Sequence, residues 1–215
     1  MEDAAKKDAI LAALLPDVPF DGWTRAALRA AAHRAGFDDE VDELFPGGAR
    51  DAVAWFSRWA DRLTLETVAA QPIEDKKLSE RISLAMRTRL KLLTPHREAV
   101  RRGLALLAFP TNLGLGARLL YDTVDALWLA AGDAASDFSF YTKRALLAGI
   151  YGATTLYWLD DTSPEGEATE KFLERRLANV LALPRVGQRV RARLGGALPD
   201  PRRFVRAARR RMSGA

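Results

Sequence analysis

Apolar residues recur at three- and four-residue spacing along almost the whole chain, and no window alternates cleanly between apolar and polar. Such spacing aligns side chains on one face only if the backbone turns every ~3.6 residues, so the chain reads as all-α. Ala52, Trp55, Phe56, Trp59, Ala60 and Leu63 share one face, and Leu78, Ile82, Ala85, Met86, Leu90 and Leu93 share the next. Leu119, Leu120, Thr123, Val124, Leu127, Trp128 and Ala131 form a third stripe, with Tyr121, Asp122 and Asp125 on its flanks. Proline suits a helix first turn and glycine the position just past an end. Breaks of this kind at Pro16, Pro46-Gly47-Gly48, Pro72, Pro95, Pro110, Gly132, Pro164, Pro184 and Pro199 cut the chain into nine or ten helices. There is no repeat of fixed period and no long low-complexity stretch, which leaves one bundle with a tail.

What the chain lacks narrows the chemistry. It has no cysteine, which excludes disulfides, thiolate metal sites and cysteine nucleophiles. His33 and His96 stand apart from each other, and there is no Glu-x-x-His pair, no Gly-rich phosphate loop after a strand and no Gly-x-Ser-x-Gly. Catalysis is therefore unmotivated, and no metal or cofactor is expected. The uncharged stretch Ala145 to Leu159 has fifteen residues. A spanning helix needs about 20, so this stretch reads as a buried core helix. Glu2, Asp3 and Asp8 at the start match neither a secretory signal nor an acid-poor transit peptide, which points to the cytoplasm.

The first 50 residues read as three short helices: Asp3 to Leu15, Trp23 to Ala35 closed by Gly36-Phe37, and Asp38 to Phe45 before Pro46. With a Thr24-led second helix, a Gly-containing turn and an aromatic-Pro end at Phe45-Pro46, the segment resembles the DNA-reading head of TetR-type regulators. Its third helix opposes that use. Asp38, Asp39, Glu40, Asp42 and Glu43 would face phosphates that a reading helix must approach with Lys, Arg, Asn, Gln or Ser. Specific DNA is not an expected partner, and the head is degenerate. The same acids also suit a solvated first turn, where they favour the helix dipole.

A second resemblance covers about 104 to 182. Val124-Asp125-Ala126-Leu127-Trp128, Gly132-Asp133, the run from Ser136 to Tyr151, Thr154 to Asp161, Ser163-Pro164 and Phe172 to Arg176 are similar to the signature of one family. That family is the lipid-binding accessory protein of ubiquinone (coenzyme Q) biosynthesis, the ninth of the Coq proteins, with a TetR-like fold. Phe140 stands where the family often has Trp, and the start lacks the transit peptide of mitochondrial members, which fits a bacterial source.

The resemblance implies a homodimer that is not an enzyme. It would bind an isoprenoid quinone intermediate or phospholipid within the bundle and present it to the di-iron hydroxylase of the pathway. A prenyl tail offers no hydrogen bonds, so its site needs only an apolar cavity between helices. Leu119, Leu120, Val124, Leu147, Ile150, Tyr151 and Thr154 are the candidate lining, and ordinary core is the alternative for each. Carried over by position, the hydroxylase-binding patch is Asp125, Leu127, Trp128, Asp133, Asp137, Phe140, Tyr141 and Arg144. Asp137 also sits where a helix N-cap belongs. The same pocket in a transcriptional regulator sensing a lipid-like ligand is the alternative reading.

Three segments result: a degenerate head at 1–48, a ligand-binding and dimerising bundle at 49–183, and a basic amphipathic tail at 184–215. From Arg175 to Ala215 there are twelve arginines and one acid, Asp200, a charge of +11 that leaves −6 on residues 1–174 of the overall +5. In the tail, Val186, Val190 and Leu194 make an apolar line beside Arg185, Arg189 and Arg193. Phe204, Val205, Ala208 and Met212 are backed by Arg202, Arg203, Arg206, Arg209 and Arg210. Helices of this type lie in the interface of anionic membranes at roughly 1 kcal/mol per nearby cation. Nucleic acid or plain solvation would suit the same arginines. Co-sedimentation with anionic vesicles is expected for the full chain, weakening with salt and lost on truncation after Leu183, because the −6 of residues 1–174 repels the same surface.

Overall fold

The structure, a computed structural model, describes residues 2–132 and 140–178, with the side chains of 140–143 excepted. All regular structure among the described residues is helical. The helices are α1 (Glu2–Leu14), α2 (Val18–Asp21), α3 (Arg25–Ala35), α4 (Val41–Leu44), α5 (Ala49–Ala69), α6 (Leu78–Leu93), α7 (Arg97–Leu107), α8 (Leu113–Ala130) and α9 (Phe140–Asp160). A last helix, α10, is described over residues 167–178. The chain divides into a body, Met1–Glu174, and a C-terminal unit, Arg175–Ala215.

Side-chain caps fix the ends. The Thr24 hydroxyl accepts from the Ala27 amide at 3.1 Å and starts α3. That helix stops at Gly36, which takes φ +79°, a left-handed conformation that costs glycine little, while the Phe37 amide returns to the Ala32 carbonyl at 2.9 Å. At the end of α9 the carbonyls are met from α7: Arg101 donates to Leu159 O at 2.5 Å and Arg97 to Asp161 O at 2.6 Å. Two cations at a helix C-terminus also favour its dipole.

Helix α5 is the central element, packed against α1, α3, α6, α7 and α8. One apolar core runs from Ile10, Leu11 and Leu14 of α1 through Phe45, Phe56 and Leu90 to Trp158 and Leu159 of α9. Polar contacts tie the N-terminal helices to this core. Trp55 Nε1 and Arg62 both donate to Asp8 at 2.8 Å, and Trp23 Nε1 donates to Ala99 O at 2.9 Å.

Two expectations are corrected. The third helix of the head is not one helix from Asp38 to Phe45 but a 3₁₀ turn, Asp38–Glu40, followed by the single turn of α4. Its acids do not merely occupy a solvated turn. Glu40 pairs with Lys6 at 2.6 Å, Asp42 with Arg29 at 2.7 Å and Asp38 with His33 Nδ1 at 2.9 Å. The hydrogen bond from Arg29 holds the Asp42 carboxyl below its ordinary pKa. Helix α9 is also not wholly interior: Leu147, Ile150 and Trp158 are buried, whereas Leu146, Leu156 and Tyr157 are exposed. Its apolar residues surround the axis, so periodicity could not tell the inward face from the outward one.

Between α9 and α10, Asp161 organises the turn. Its Oδ1 accepts from Ser163 N at 2.8 Å, and its Oδ2 accepts from Thr169 N at 2.8 Å and from the Thr169 hydroxyl. Burial alone would raise the Asp161 pKa, but the hydrogen bonds from Ser163 and Thr169 outweigh it and hold the carboxyl well below the carboxylate range. Asp161→Ala is expected to cost roughly 1–2 kcal/mol, the size of a lost cap. A depressed folded-state pKa contributes stability above the unfolded value of about 4 and loses it as pH falls further. The gap between wild type and variant in chemical denaturation should therefore be full at pH 7 and shrink below pH ~4.

Candidate functional site

Helices α5 to α9 do not close completely on one another. They leave a cavity of about 340 Å³ lined by all five. Most of its wall is carbon: Val53, Phe56, Leu93, Val100, Leu104, Leu107, Leu119 and Leu120 among others. Small residues make the room, since Gly103, Gly116 and Gly152 stand in the wall and a Cβ built on Gly152 would meet nothing within 4 Å. Leu104 and Leu156 line the cavity and are also 37% and 61% exposed, which places the mouth between α7 and α9.

Set into this wall is one polar cluster. Arg89 of α6 is only 3% exposed. Its Nε donates to the Tyr151 hydroxyl at 3.0 Å, and its Nη2 lies 3.2 Å from Thr123 Oγ1, 3.4 Å from Ser57 Oγ and 3.2 Å from Asp61 Oδ1. Thr123 in turn donates to Asp61 Oδ2 at 3.3 Å. Burial raises the Asp61 pKa, and the Arg89 charge opposes that rise. Ser57, Arg89, Thr123, Tyr151 and Thr155 all line the cavity. Among the described residues no three His, Cys, Asp or Glu side chains gather in a way that could hold a metal ion.

Of the expected lining, Leu119, Leu120 and Tyr151 are in the cavity wall. Val124, Leu147, Ile150 and Thr154 are buried elsewhere in the core, and Thr154 spends its hydroxyl on the Ile150 carbonyl at 2.7 Å. Those four are buried without lining the cavity, so the ordinary-core alternative describes them. Sequence reasoning missed the contributions of α5, α6 and α7 altogether. A signal for Arg89 was available: it falls one turn after Ala85 and one before Leu93, on the apolar stripe of its helix.

In the expected partner patch, Arg144 Nε donates to Asp125 Oδ1 at 2.9 Å, joining α9 to α8. Leu127 and Trp128 are corrected: at 1% and 7% exposure they belong to the core and offer no surface to a partner. Asp133, Asp137 and the side chains of Phe140 and Tyr141 lie outside the described residues, as do Arg185, Arg189, Arg193, Arg202, Arg203, Phe204, Arg206, Arg209 and Arg210. Among the described residues no single helix is long and apolar enough to cross a membrane.

A three-helix head fused to a bundle with an internal cavity defines a protein of TetR-type architecture. A solved structure of a TetR transcriptional regulator from Nitrosomonas europaea ATCC 19718 shares this fold, with a TM-score of 0.59, 23% identity, and coverage of 80% of this chain and 95% of that one. Sequence similarity is more specific. The COQ9 family profile matches residues 113–184. The mitochondrial ubiquinone biosynthesis protein COQ9 of Bos taurus is 33% identical over 190 residues, spanning 85% of this chain and 60% of that protein. Its counterpart in Drosophila melanogaster is 33% identical over 189 residues, 83% of this chain and 57% of the relative. That of Schizosaccharomyces pombe is 29% identical, over 84% and 72%. The chain belongs to the COQ9 family, and it spans about 60% of the length of the mammalian relatives it matches.

Because Asp61 and Arg89 are a buried pair, removing one partner strands the other. Arg89→Met is expected to cost about 3–5 kcal/mol, whereas the joint Asp61→Leu, Arg89→Met replacement should stay within roughly 1–2 kcal/mol of wild type in chemical denaturation. The deficit of Arg89→Met should shrink as pH falls, since the unpaired Asp61 is then neutralised by a proton.

Proposed function

We propose that this chain is a non-catalytic, lipid-binding accessory factor of ubiquinone biosynthesis. It takes an isoprenoid quinone intermediate or a phospholipid into the cavity between α5 and α9 and presents it to the hydroxylase of the pathway. The observation that carries this reading is the cavity itself: carbon-lined, about 340 Å³ and opening between Leu104 and Leu156. That volume is at the lower end of small-molecule pockets, which run ~300–1,000 Å³, so it suits one head or one length of chain. Relatives 33% identical to this chain are named for ubiquinone biosynthesis, which supports the pathway.

The remaining parts of the proposal follow from surfaces. The outward face of α9, with Leu146 and Tyr157 exposed, suits a second copy of the chain. The Asp125–Arg144 pair, together with Asp133, Asp137, Phe140 and Tyr141 carried over from the family resemblance, is offered to the hydroxylase. The basic tail holds the protein at the inner, cytoplasmic face of an anionic membrane. The TetR fold also admits a lipid-sensing regulator, but Arg25 and Arg29, the cations of α3 beside the third helix, are both paired with Asp42, at 3.7 and 2.7 Å. Cations neutralised in this way are unavailable to phosphates. A gel shift with genomic fragments at low salt should show no specific complex.

Organic extraction of the purified protein should yield a quinone, a quinone precursor or a phospholipid at a sizeable fraction of one per chain or per dimer. Gly152→Phe, which fills the cavity, should lower that yield without unfolding the chain. The exposed Gly149 does not line the cavity, and Gly149→Phe should leave lipid content unchanged. A protein that extracts empty, with its full chain folded, would remove the lipid-binding reading.

A further inference from the structure

The polar cluster in the cavity wall has donors left over. Arg89 uses Nε on Tyr151 and Nη2 on Thr123 and Ser57, yet its Nη1 is buried and has no hydrogen-bond partner among the described residues. Thr155 Oγ1 is likewise buried and without a partner. The Tyr151 hydroxyl accepts from Arg89 Nε, and no described acceptor takes its own proton. All three residues line the same cavity. Buried donors are nearly always satisfied, because a stranded N–H or O–H loses its water without recompense. Three of them on one apolar wall describe the complement of a group rich in acceptor oxygens.

The charge of that group is set by Asp61. Its carboxylate lies 3.2 Å from Arg89 Nη2 and already offsets the guanidinium, so an anionic ligand entering here would meet a neutral pair with a carboxylate in it. We propose that the cavity recognises the uncharged, acceptor-bearing head group of an amphiphile through Arg89, Tyr151 and Thr155, with its apolar tail along Val53, Leu104, Leu107 and Leu120. The head carries carbonyl oxygens, whether of a quinone ring or of an ester. This inference rests on the lipid-binding reading and adds to it a selectivity for the head.

The test uses the full-length protein, freed of lipid, and calorimetric titration with four probes. They are a benzoquinone bearing a two-isoprene tail, a hydrocarbon of the same length, methyl palmitate and palmitate. At least one neutral carbonyl probe should bind about tenfold or more tighter than the hydrocarbon, the worth of roughly one net hydrogen bond. Whether the quinone or the ester is the tighter identifies the source of the carbonyl. Tyr151→Phe with Thr155→Val should lower the ratio, with Arg89 the remaining donor, while hydrocarbon affinity persists. Asp61→Leu with Arg89→Met should do the same, and the two pairs of changes guard against one of them failing to fold.

Equal affinity for quinone, ester and hydrocarbon overturns the head-group site and leaves the lipid-binding reading standing; the spare donors are then met by water. A ratio that survives both double variants also overturns it, as does palmitate binding tightest of the four. If no probe binds at all, this inference and the lipid-binding reading fall together.

Discussion

The burial of α5 is the constraint on which the rest of this structure depends. A helix of 21 residues with Ala52, Val53, Phe56, Ala60 and Val68 buried cannot be left with any open apolar face, and five other helices are recruited to cover it. Each large apolar side chain removed from such a core costs on the order of 2–5 kcal/mol, a substantial part of the stability of a whole domain. The N-terminal helices are bound into the same core, by Ile10, Leu11 and Leu14 and by the hydrogen bonds from Trp55 and Arg62 to Asp8. The N-terminal head is thereby one folding unit with the bundle around it.

Close packing around a central helix normally leaves few voids. Here three glycines, one each on α7, α8 and α9, stand in the wall of a cavity that remains, and a Cβ on Gly152 would meet nothing within 4 Å. Its mouth lies where α7 and α9 part, at residues that are both lining and exposed. Fold and site are therefore the same object: the helices that cover α5 are the walls of the cavity.

Within that wall the Asp61–Arg89 pair deserves a separate physical account. Buried ion pairs roughly break even against well-packed hydrophobic residues, so this one is poorly explained as a stabilising device. It does fix the orientation of Tyr151, through Arg89 Nε, and it places a fixed polar patch in a surface that would otherwise bind any hydrocarbon alike. The head of the molecule shows a parallel use of charge. Asp42, one of the acids of the third segment of the head, pairs with both Arg25 and Arg29 of α3. The segment these acids occupy is a 3₁₀ turn and a single α-turn.

The sequence by itself determined the helical class, most helix boundaries and the inward stripes. Ile82, Ala85, Met86, Leu90 and Leu93 are buried as their spacing requires, and so are Leu119, Thr123, Val124, Leu127 and Trp128, whereas Leu78 at the start of the first of these stripes is 39% exposed. It also determined the family, because the run around α9 is a signature that residue order alone carries. Only the tertiary structure decided which apolar residues are core and which are cavity wall. Val124 and Leu120 are close neighbours on α8 with similar chemistry, yet only Leu120 meets the void, and that depends on how α5 and α9 lean against it. The buried cluster was hidden for the same reason. Asp61, Arg89 and Tyr151 come from three helices, 28 and 62 positions apart along the chain, and the place of Arg89 on an apolar stripe does not tell which partners it meets. Local spacing fixes the face a residue shares with its own helix; what that face meets is settled by packing between segments distant in sequence.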